Sequence, residues 1–457
     1  MSSDRAIATV KIARGSVPAP PSKSATQRAL VAAALAGGRS RLRHPLLADD
    51  SRHLMAALEA VGIATRLSGP VEAPEVEVEG RGGAIPAAAA RLSVGNAGTA
   101  MRFLTAMLAL GRGDYVIDGD ERMRQRPIED LLAALRGLGA GAASLGGNGC
   151  PPVRVGGPGL QGGTTRLRGG TSSQYLSAIL LAAPATPRGV LVEIEGPLVS
   201  RPYVDMTIDM MRRFGVDVET VPVGPEPNRF RVPPGRPYRP CDLEIEGDYS
   251  SASYFFAAAA ITSGRVRVER LDPGSRQGDA GFVRLLERMG CRVTRGDSWV
   301  EVEGLGSLHG IEADCGAMPD IVPTLAVVAL FADGPTRITG VPHLKVKESD
   351  RIAALVGGIE RLGGFAAPAA DGLTVEPRPL CGARVDTCSD HRMAMAFAVA
   401  GLRVPGVVIA DPDCASKSFP GFWELFDRLA SGSSRKENPA EGIPPRGRLR
   451  DAGRESP

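Results

Sequence analysis

Pro21-Ser22-Lys23-Ser24-Ala25-Thr26-Gln27-Arg28-Ala29-Leu30-Val31-Ala32-Ala33-Ala34-Leu35 passes from proline and hydroxyl residues into an almost wholly apolar run. A serine ahead of an apolar run is a helix N-cap signal, because its hydroxyl accepts one of the unpaired N–H groups of the first turn. The stretch predicts a helix starting near Ser22, with Lys23 in its first turn and Arg28 about one and a half turns later. A cation there faces a dipole that is already positive. Lys23 therefore costs stability unless an anion sits beside it, and a helix N-terminus is itself an anion site. A solvated surface lysine fits the same stretch equally well, so the rest of the chain has to decide.

Five further stretches share this form. Residues 96–110, 172–183, 250–261, 319–330 and 390–400 each open on small polar or charged residues and turn almost wholly apolar. A helix that is apolar on all sides is buried on all sides. The starts recur roughly every 70–78 residues, a period that marks repeated units. A second, amphipathic helix follows at a similar offset, over 50–62, 127–139, 202–215, 278–290 and 348–363, with a degenerate copy at 419–429. All but the last close on glycine, the usual residue just past a helix. Alternating runs between them, such as Val76-Glu77-Val78-Glu79, read as strands with one solvated face. The chain is thus read as α/β, built from six β-α-β-α-β-type units. Proline-rich breaks at 17–21 and 221–240 enclose three units and leave three more, which suggests two similar domains joined by two hinge crossings. Residues 431–457 are polar, rich in Gly, Pro and Arg, and expected to be disordered.

Composition narrows the function. The 457 residues suffice for two or three domains, and with 4% aromatic residues the cores must rest on Ala, Val, Leu and Ile. No apolar run approaches the ~20 residues of a membrane span. The N-terminus lacks a secretory pattern, and the seven cysteines form no CxxC pair or Cys/His metal spacing. These features point to a reduced, cytoplasmic protein with no metal and no membrane partner. A net charge of +3 with few aromatics disfavours nucleic-acid binding. GxxxxGK[ST], GxGxxG after a strand and GxSxG are all absent, so triphosphate, dinucleotide and serine-hydrolase chemistries lack support. Of 54 basic residues only six are Lys. An ammonium is a compact charge with a movable pKa, where a guanidinium is a fixed planar fork. Lys23, Lys345, Lys347 and Lys417 are therefore places to look, whereas Lys11 and Lys436 read as chance survivals.

The helix openings carry unusual groups. Asn96-Ala97-Gly98-Thr99 puts a glycine where a ligand can approach the backbone, or is a cap with a packing glycine. Ser172-Ser173-Gln174 offers two hydroxyls and an amide, or simple capping. Asp320 suits a first-turn dipole partner as well as a chemical role. Asp390-His391-Arg392, a charged triplet leading an apolar helix, is harder to assign to capping alone. Loops add Glu121-Arg122-Met123-Arg124-Gln125-Arg126-Pro127, Leu344-Lys345-Val346-Lys347-Glu348-Ser349-Asp350-Arg351 and Asp413-Cys414-Ala415-Ser416-Lys417. Cations or anion-binding caps thus open helices in five of the six units, the fourth being the exception. If these ends converge, they form a positive cleft suited to small, multiply charged anions such as phosphates or carboxylates.

As a set, the motifs at 22–28, 95–102, 122–128, 172–174, 200–203, 346–351, 390–395 and 411–420 resemble the 3-phosphoshikimate 1-carboxyvinyltransferase (EPSP synthase) family of enolpyruvyl transferases, in order from about Val10 to Leu429. The resemblance implies two domains, each of three βαβαββ units around a pseudo-threefold axis (an inside-out α/β barrel), with buried helices aimed at the cleft between them. It implies a discontinuous lower domain, 1–21 plus 244–430, and an upper domain, 22–243. It implies transfer of the enolpyruvyl group of phosphoenolpyruvate to the 5-hydroxyl of shikimate 3-phosphate, releasing phosphate, in aromatic amino acid biosynthesis, by a monomer that uses no metal or organic cofactor. By motif, Lys23, Ser24, Arg28, Ser172, Ser173, Gln174, Ser200, Tyr203, Asp320 and Lys347 would hold shikimate 3-phosphate. Lys23, Asn96, Gly98, Arg126, Gln174, Arg351, Arg392 and Lys417 would hold phosphoenolpyruvate. Asp320 is expected as the base for the 5-hydroxyl, and Glu348, with Lys23, as the acid for the methylene carbon. Amid these cations Glu348 is expected to have a low pKa in the free enzyme and a higher one once anionic ligands neutralise the cleft.

Four positions bear on the comparison. Phe103 stands where the family commonly has proline, which puts the shape of the neighbouring pocket in question. His343 stands where many relatives offer Asn or another polar group. Arg201 replaces the common lysine. Gly98 is the small residue of the glyphosate-sensitive class, which implies competitive inhibition by glyphosate. The UDP-N-acetylglucosamine enolpyruvyl transferases share the fold but normally carry a cysteine in the loop at 122–126, where this chain has none.

Overall fold

The computed structural model describes residues 4–70, 73–222 and 227–431, so the expected disordered tail lies outside the described residues from 432 onwards. Six helices are buried: α1 (Lys23–Leu35), α3 (Gly98–Leu108), α5 (Ser173–Ala182), α7 (Tyr249–Ile261), α9 (Val322–Ala329) and α11 (His391–Gly401). Every residue of α7 and α11 is buried, as is α1 from Ala25 onwards. Their alanine content is what lets them pack closely: α1, α3 and α5 meet one another in one half, and α7, α9 and α11 in the other. Six amphipathic helices bury one face each: α2 (Asp49–Ala60), α4 (Glu129–Gly137), α6 (Arg201–Arg213), α8 (Phe282–Arg288), α10 (Arg351–Arg361) and α12 (Phe422–Ala430). Four of these begin later than the sequence pattern suggests. Short 3-10 turns at Met123–Gln125, Gly278–Gly281, Pro342–Val346 and Pro412–Lys417 occupy the chain ahead of them.

Each unit folds onto its own small sheet. In the second unit Ala89–Ser93 pairs parallel with Asp114–Asp118, which pairs antiparallel with Val153–Gly156, and that with Gly141–Ser144. The third and fifth units repeat this order. The first and fourth do so with a borrowed strand. Asp242–Glu244 lies parallel to Gly37–Arg43, and Arg14–Pro18 lies parallel to Arg265–Glu269. The sixth unit has three strands, with Arg5–Ala6 completing it. Two apolar cores result. One draws on residues 25–245, the other on residues 7–19 and 249–429. The fold is the two-domain α/β arrangement of three-unit halves, and among the described residues no helix is long and apolar enough to cross a membrane.

The two chain crossings between the halves lie side by side. Pro21 bridges Gly247, Ser22 N donates to Glu246 O at 2.7 Å, and Asp248 N donates to Pro20 O at 2.8 Å. Only glycine fits at 247, where a Cβ would lie 2.1 Å from Arg270 O. The second proline-rich stretch, read above as a hinge, is not one. It holds Pro227–Val232, paired with Val190–Glu195 and with Glu219–Pro222. The prolines at 222 and 227 stand at strand ends, where a missing N–H is tolerated. Asp248 serves both halves. Its carboxylate accepts from Ser251 N at 2.7 Å, capping α7, and from Lys23 N at 3.3 Å in the first turn of α1. We expect Asp248→Ala to lower stability by about 1–2 kcal/mol in urea titration, with Asp248→Asn, which keeps one acceptor oxygen of the two, falling between alanine and the parent. An alanine variant as stable as the parent would refute the double cap.

Candidate active site

The helix N-termini of both halves converge on one cavity. Of the residues expected from the sequence, it is lined by Lys23, Ser24, Arg28, Gly98, Arg126, Ser173, Gln174, Ser200, Tyr203, Asp320, Lys347, Glu348, Arg351 and Arg392. The remaining three adjoin it. Ser172 caps α5 by accepting from Gln174 N at 3.3 Å, Asn96 Oδ1 accepts from Arg126 Nη1 at 2.9 Å, and Lys417 Nζ lies 3.5 Å from Glu348 Oε1.

On the side of the first core, Ser22 caps α1 by accepting from Ala25 N at 3.3 Å, which sets Lys23 and Ser24 at the cavity wall. Arg28, one turn on, is fully buried. It donates to Thr207 Oγ1 (2.8 Å), Ser24 O (2.9 Å) and Tyr203 O (2.9 Å). The Phe103 ring lies 5.4 Å from its guanidinium carbon. Burial pulls the Arg28 pKa down to about 10, so it still carries its charge at neutral pH. Phe103 is itself fully buried and supports Arg28 from behind the cavity. At Gly98 the space a side chain would take is held by Arg126, whose Nη2 would lie 2.5 Å from a Cβ. Gln174 donates to Thr99 Oγ1 at 3.1 Å. Ser200 sits in the left-handed region (φ 53°), with its hydroxyl 3.3 Å from His343 Nε2. Burial drops the His343 pKa to about 4, which keeps the ring neutral. Arg201 pairs with Asp205 at 2.9 Å, away from the cavity.

On the side of the second core one guanidinium gathers three carboxylates. Arg351 reaches Asp320 at 2.9 Å, Glu348 at 2.8 Å and Asp390 at 2.8 Å. Arg392 reaches Asp320 at 2.6 Å. Tyr203 OH lies 3.2 Å from both Asp320 and Asp279. Across the cleft, Arg126 stands 3.6 Å from Glu348. Burial by itself would raise the Glu348 pKa, but Arg126, Arg351, Lys417 and Lys23 outweigh it and hold the carboxyl well below the usual range. Burial is likewise outweighed at Asp320, by Arg392, Arg351 and Lys347.

The anion expected beside Lys23 is supplied by the protein. Asp50, buried at the start of α2, lies 3.1 Å from Lys23 Nζ and 3.1 Å from Lys417 Nζ. The sequence reading took Asp50 only as the first residue of the helix at 50–62, quoted Thr99 beside Gly98 without giving it a role, and did not single out Asp279. Asp390 is noted there for its helix but not as a partner of Arg351. A buried acid among cations is the signal, and it needs tertiary structure to be seen. The arrangement gathers cations around one cavity and sets two carboxylates, Asp320 and Glu348, side by side on the wall of the second core, both held by Arg351.

The family description of EPSP synthase (3-phosphoshikimate 1-carboxyvinyltransferase) matches residues 7–426. The 3-phosphoshikimate 1-carboxyvinyltransferase of Methanoculleus marisnigri is 47% identical over 412 residues, covering 90% of this chain and 95% of that protein. That of Trichormus variabilis is 44% identical over 410 residues, with the same coverage. An EPSP synthase structure from Acinetobacter baumannii superposes with a TM-score of 0.76 at 30% identity, covering 93% of this chain and 98% of that one. With the match spanning both halves and every unit of the fold, the chain belongs to the EPSP synthase family.

Proposed function

We propose that the cleft transfers the enolpyruvyl group of phosphoenolpyruvate to the 5-hydroxyl of shikimate 3-phosphate and releases phosphate. The observation that carries this is the occupation of Arg351 and Arg392 by Asp320 and Glu348. Anionic ligands compete for those cations, so binding frees the two carboxylates for chemistry. Lys23, Ser24, Arg28, Ser172, Ser173, Gln174, Ser200, Tyr203 and Lys347 hold shikimate 3-phosphate in this reading. Asn96, Gly98, Arg126, Gln174, Arg351, Arg392 and Lys417, again with Lys23, hold phosphoenolpyruvate. Gathering two phosphates and two carboxylates against their repulsion is the main task, and fixed cations perform it.

Asp320 takes the proton of the 5-hydroxyl as its oxygen bonds to the central carbon of phosphoenolpyruvate. Glu348, with Lys23, delivers a proton to the methylene carbon, and the positive charge this leaves is stabilised by a neighbouring carboxylate. Loss of a methyl proton and of phosphate from the adduct restores the double bond. The closing halves are 1–21 plus 244–430 and 22–243, a division supported by the two separate cores. The protein works as a cytoplasmic monomer on small molecules without a cofactor, a reading in keeping with its seven free cysteines. The loop at 122–126 has no cysteine, so the UDP-N-acetylglucosamine reaction lacks support.

Phosphate release from phosphoenolpyruvate is expected with shikimate 3-phosphate and not with UDP-N-acetylglucosamine; the reverse would overturn the assignment. The depressed pKa values give a second test. In the free protein Glu348 and Asp320 are ionised, and binding raises both toward ordinary values. Ligand binding near pH 4, about the ordinary carboxyl value, should therefore take up protons, measured by calorimetry in buffers of different ionisation enthalpy, and Glu348→Gln should reduce the uptake while cutting turnover at neutral pH about 10²-fold or more. Gly98→Ala should displace Arg126, raise KM for phosphoenolpyruvate about tenfold and weaken competitive inhibition by glyphosate, with KM for shikimate 3-phosphate unchanged.

A further inference from the structure

The three arginines of the loop before α4 are used unequally. Arg126 faces Glu348, and Arg124 pairs with Asp118 at 2.7 Å within its own half. Arg122 reaches main-chain oxygens in the other half. Its Nε donates to Lys347 O at 3.2 Å, and its Nη2 donates to Lys347 O at 3.1 Å and to Lys345 O at 3.2 Å. Its Nη1 donates to Gln125 Oε1 at 3.2 Å, which steadies the side chain from its own loop.

Those carbonyls belong to the C-terminal end of the 3-10 turn Pro342–Val346 and the residue after it. Carbonyls at such an end lack partners within the turn and carry partial negative charge, so a cation caps them well. Here the cap comes from across the cleft. The residues that follow directly are Lys347, in extended backbone, and Glu348, and both line the cavity. The planar fork of Arg122 holds the two carbonyls in a fixed relative geometry, which an ammonium with freely rotating donors does not impose.

We propose that Arg122 is a positioning residue: a cross-cleft latch that caps the 342–346 turn only when the halves are together, and so sets Glu348 in place for proton transfer and Lys347 in place for shikimate 3-phosphate. This rests on the role given to Glu348 above. The latch ties correct placement of the acid to closure, so the proton donor is aligned only once the substrates are enclosed.

The test compares Arg122→Ala and Arg122→Lys with Arg124→Ala as the control from the same loop. Arg122→Ala should lower kcat about tenfold to a hundredfold, as expected for lost hydrogen bonds from a charged donor. KM for shikimate 3-phosphate should rise severalfold through the misplaced Lys347, Arg122→Lys should fall between, and millimolar guanidinium should partly restore the alanine variant. Amide exchange at 343–349 in the ligand-bound state should quicken in Arg122→Ala and not in Arg124→Ala. A kcat within about twofold of the parent, an equal loss in the Arg124 variant, or unchanged exchange at 343–349 would overturn the latch. Quickened exchange together with a fully active Glu348→Gln would leave the latch standing and remove the catalytic role of Glu348.

Discussion

One guanidinium held by three carboxylates sets the logic of the cleft. Arg351 lies within 2.9 Å of Asp320, Glu348 and Asp390 and is almost inaccessible to solvent. Burying an unpaired ion costs several kcal/mol, and a site for polyanions must bury many cations. The protein meets this with internal counter-ions of two kinds. Asp390 is fixed: it is fully buried, it caps α11 by accepting from Arg392 N at 3.0 Å, and it accepts from Ser349 Oγ at 3.0 Å. Asp320 and Glu348 reach the cavity, where a ligand anion can displace them. In the proposed reaction, the groups that neutralise these cations are thus the ones that ligand binding turns toward chemistry.

The fourth unit, with neither a cation nor an anion-binding cap at its buried helix, shows the same constraint from the other side. α7 opens on Asp248, which caps α1 as well as its own helix. Nearby Asp279 is pushed up to about 7 by burial and by the adjacent Asp320, and it shares the Tyr203 hydroxyl with that residue. The fourth unit therefore contributes Asp248 and Asp279 where the first and sixth contribute Lys23 and Arg392, and it does so beside the chain crossings. Holding Lys23 at a helix N-terminus requires negative charge, and Asp248 and Asp50 supply it from two directions.

Features that depend on near neighbours were legible in the sequence. Ser22 caps α1 as read, and the long period of apolar helices carried through to six units. The crossings were not so legible. Proline and glycine at 221–240 look like a break, yet the pairing of Pro227–Val232 with Val190–Glu195 is a tertiary matter that composition does not encode. The pairing of Asp50 escaped notice because its partner Lys417 lies 367 residues away. Gly98 was read as room for a ligand or as a packing glycine, and Arg126 takes much of that room, as the second reading requires. Phe103 raised doubt about the pocket, and its ring turned out to face Arg28.

The scarcity of lysine acquires a reason at Asp50. Lys23 and Lys417 each lie 3.1 Å from that carboxylate, and Lys417 is also 3.5 Å from Glu348. A guanidinium in either place would present two parallel donors and bind a carboxylate as a fork. Such a pair has a strong geometric preference and resists exchange. An ammonium is a point charge with three rotatable donors, and it can keep its hold on Asp50 while turning another N–H to an arriving oxygen. Arginine suits Arg28, Arg351 and Arg392, whose positions are fixed by several partners at once. Lysine suits the wall where partners must change during a turnover, and there the chain departs from its prevailing use of arginine.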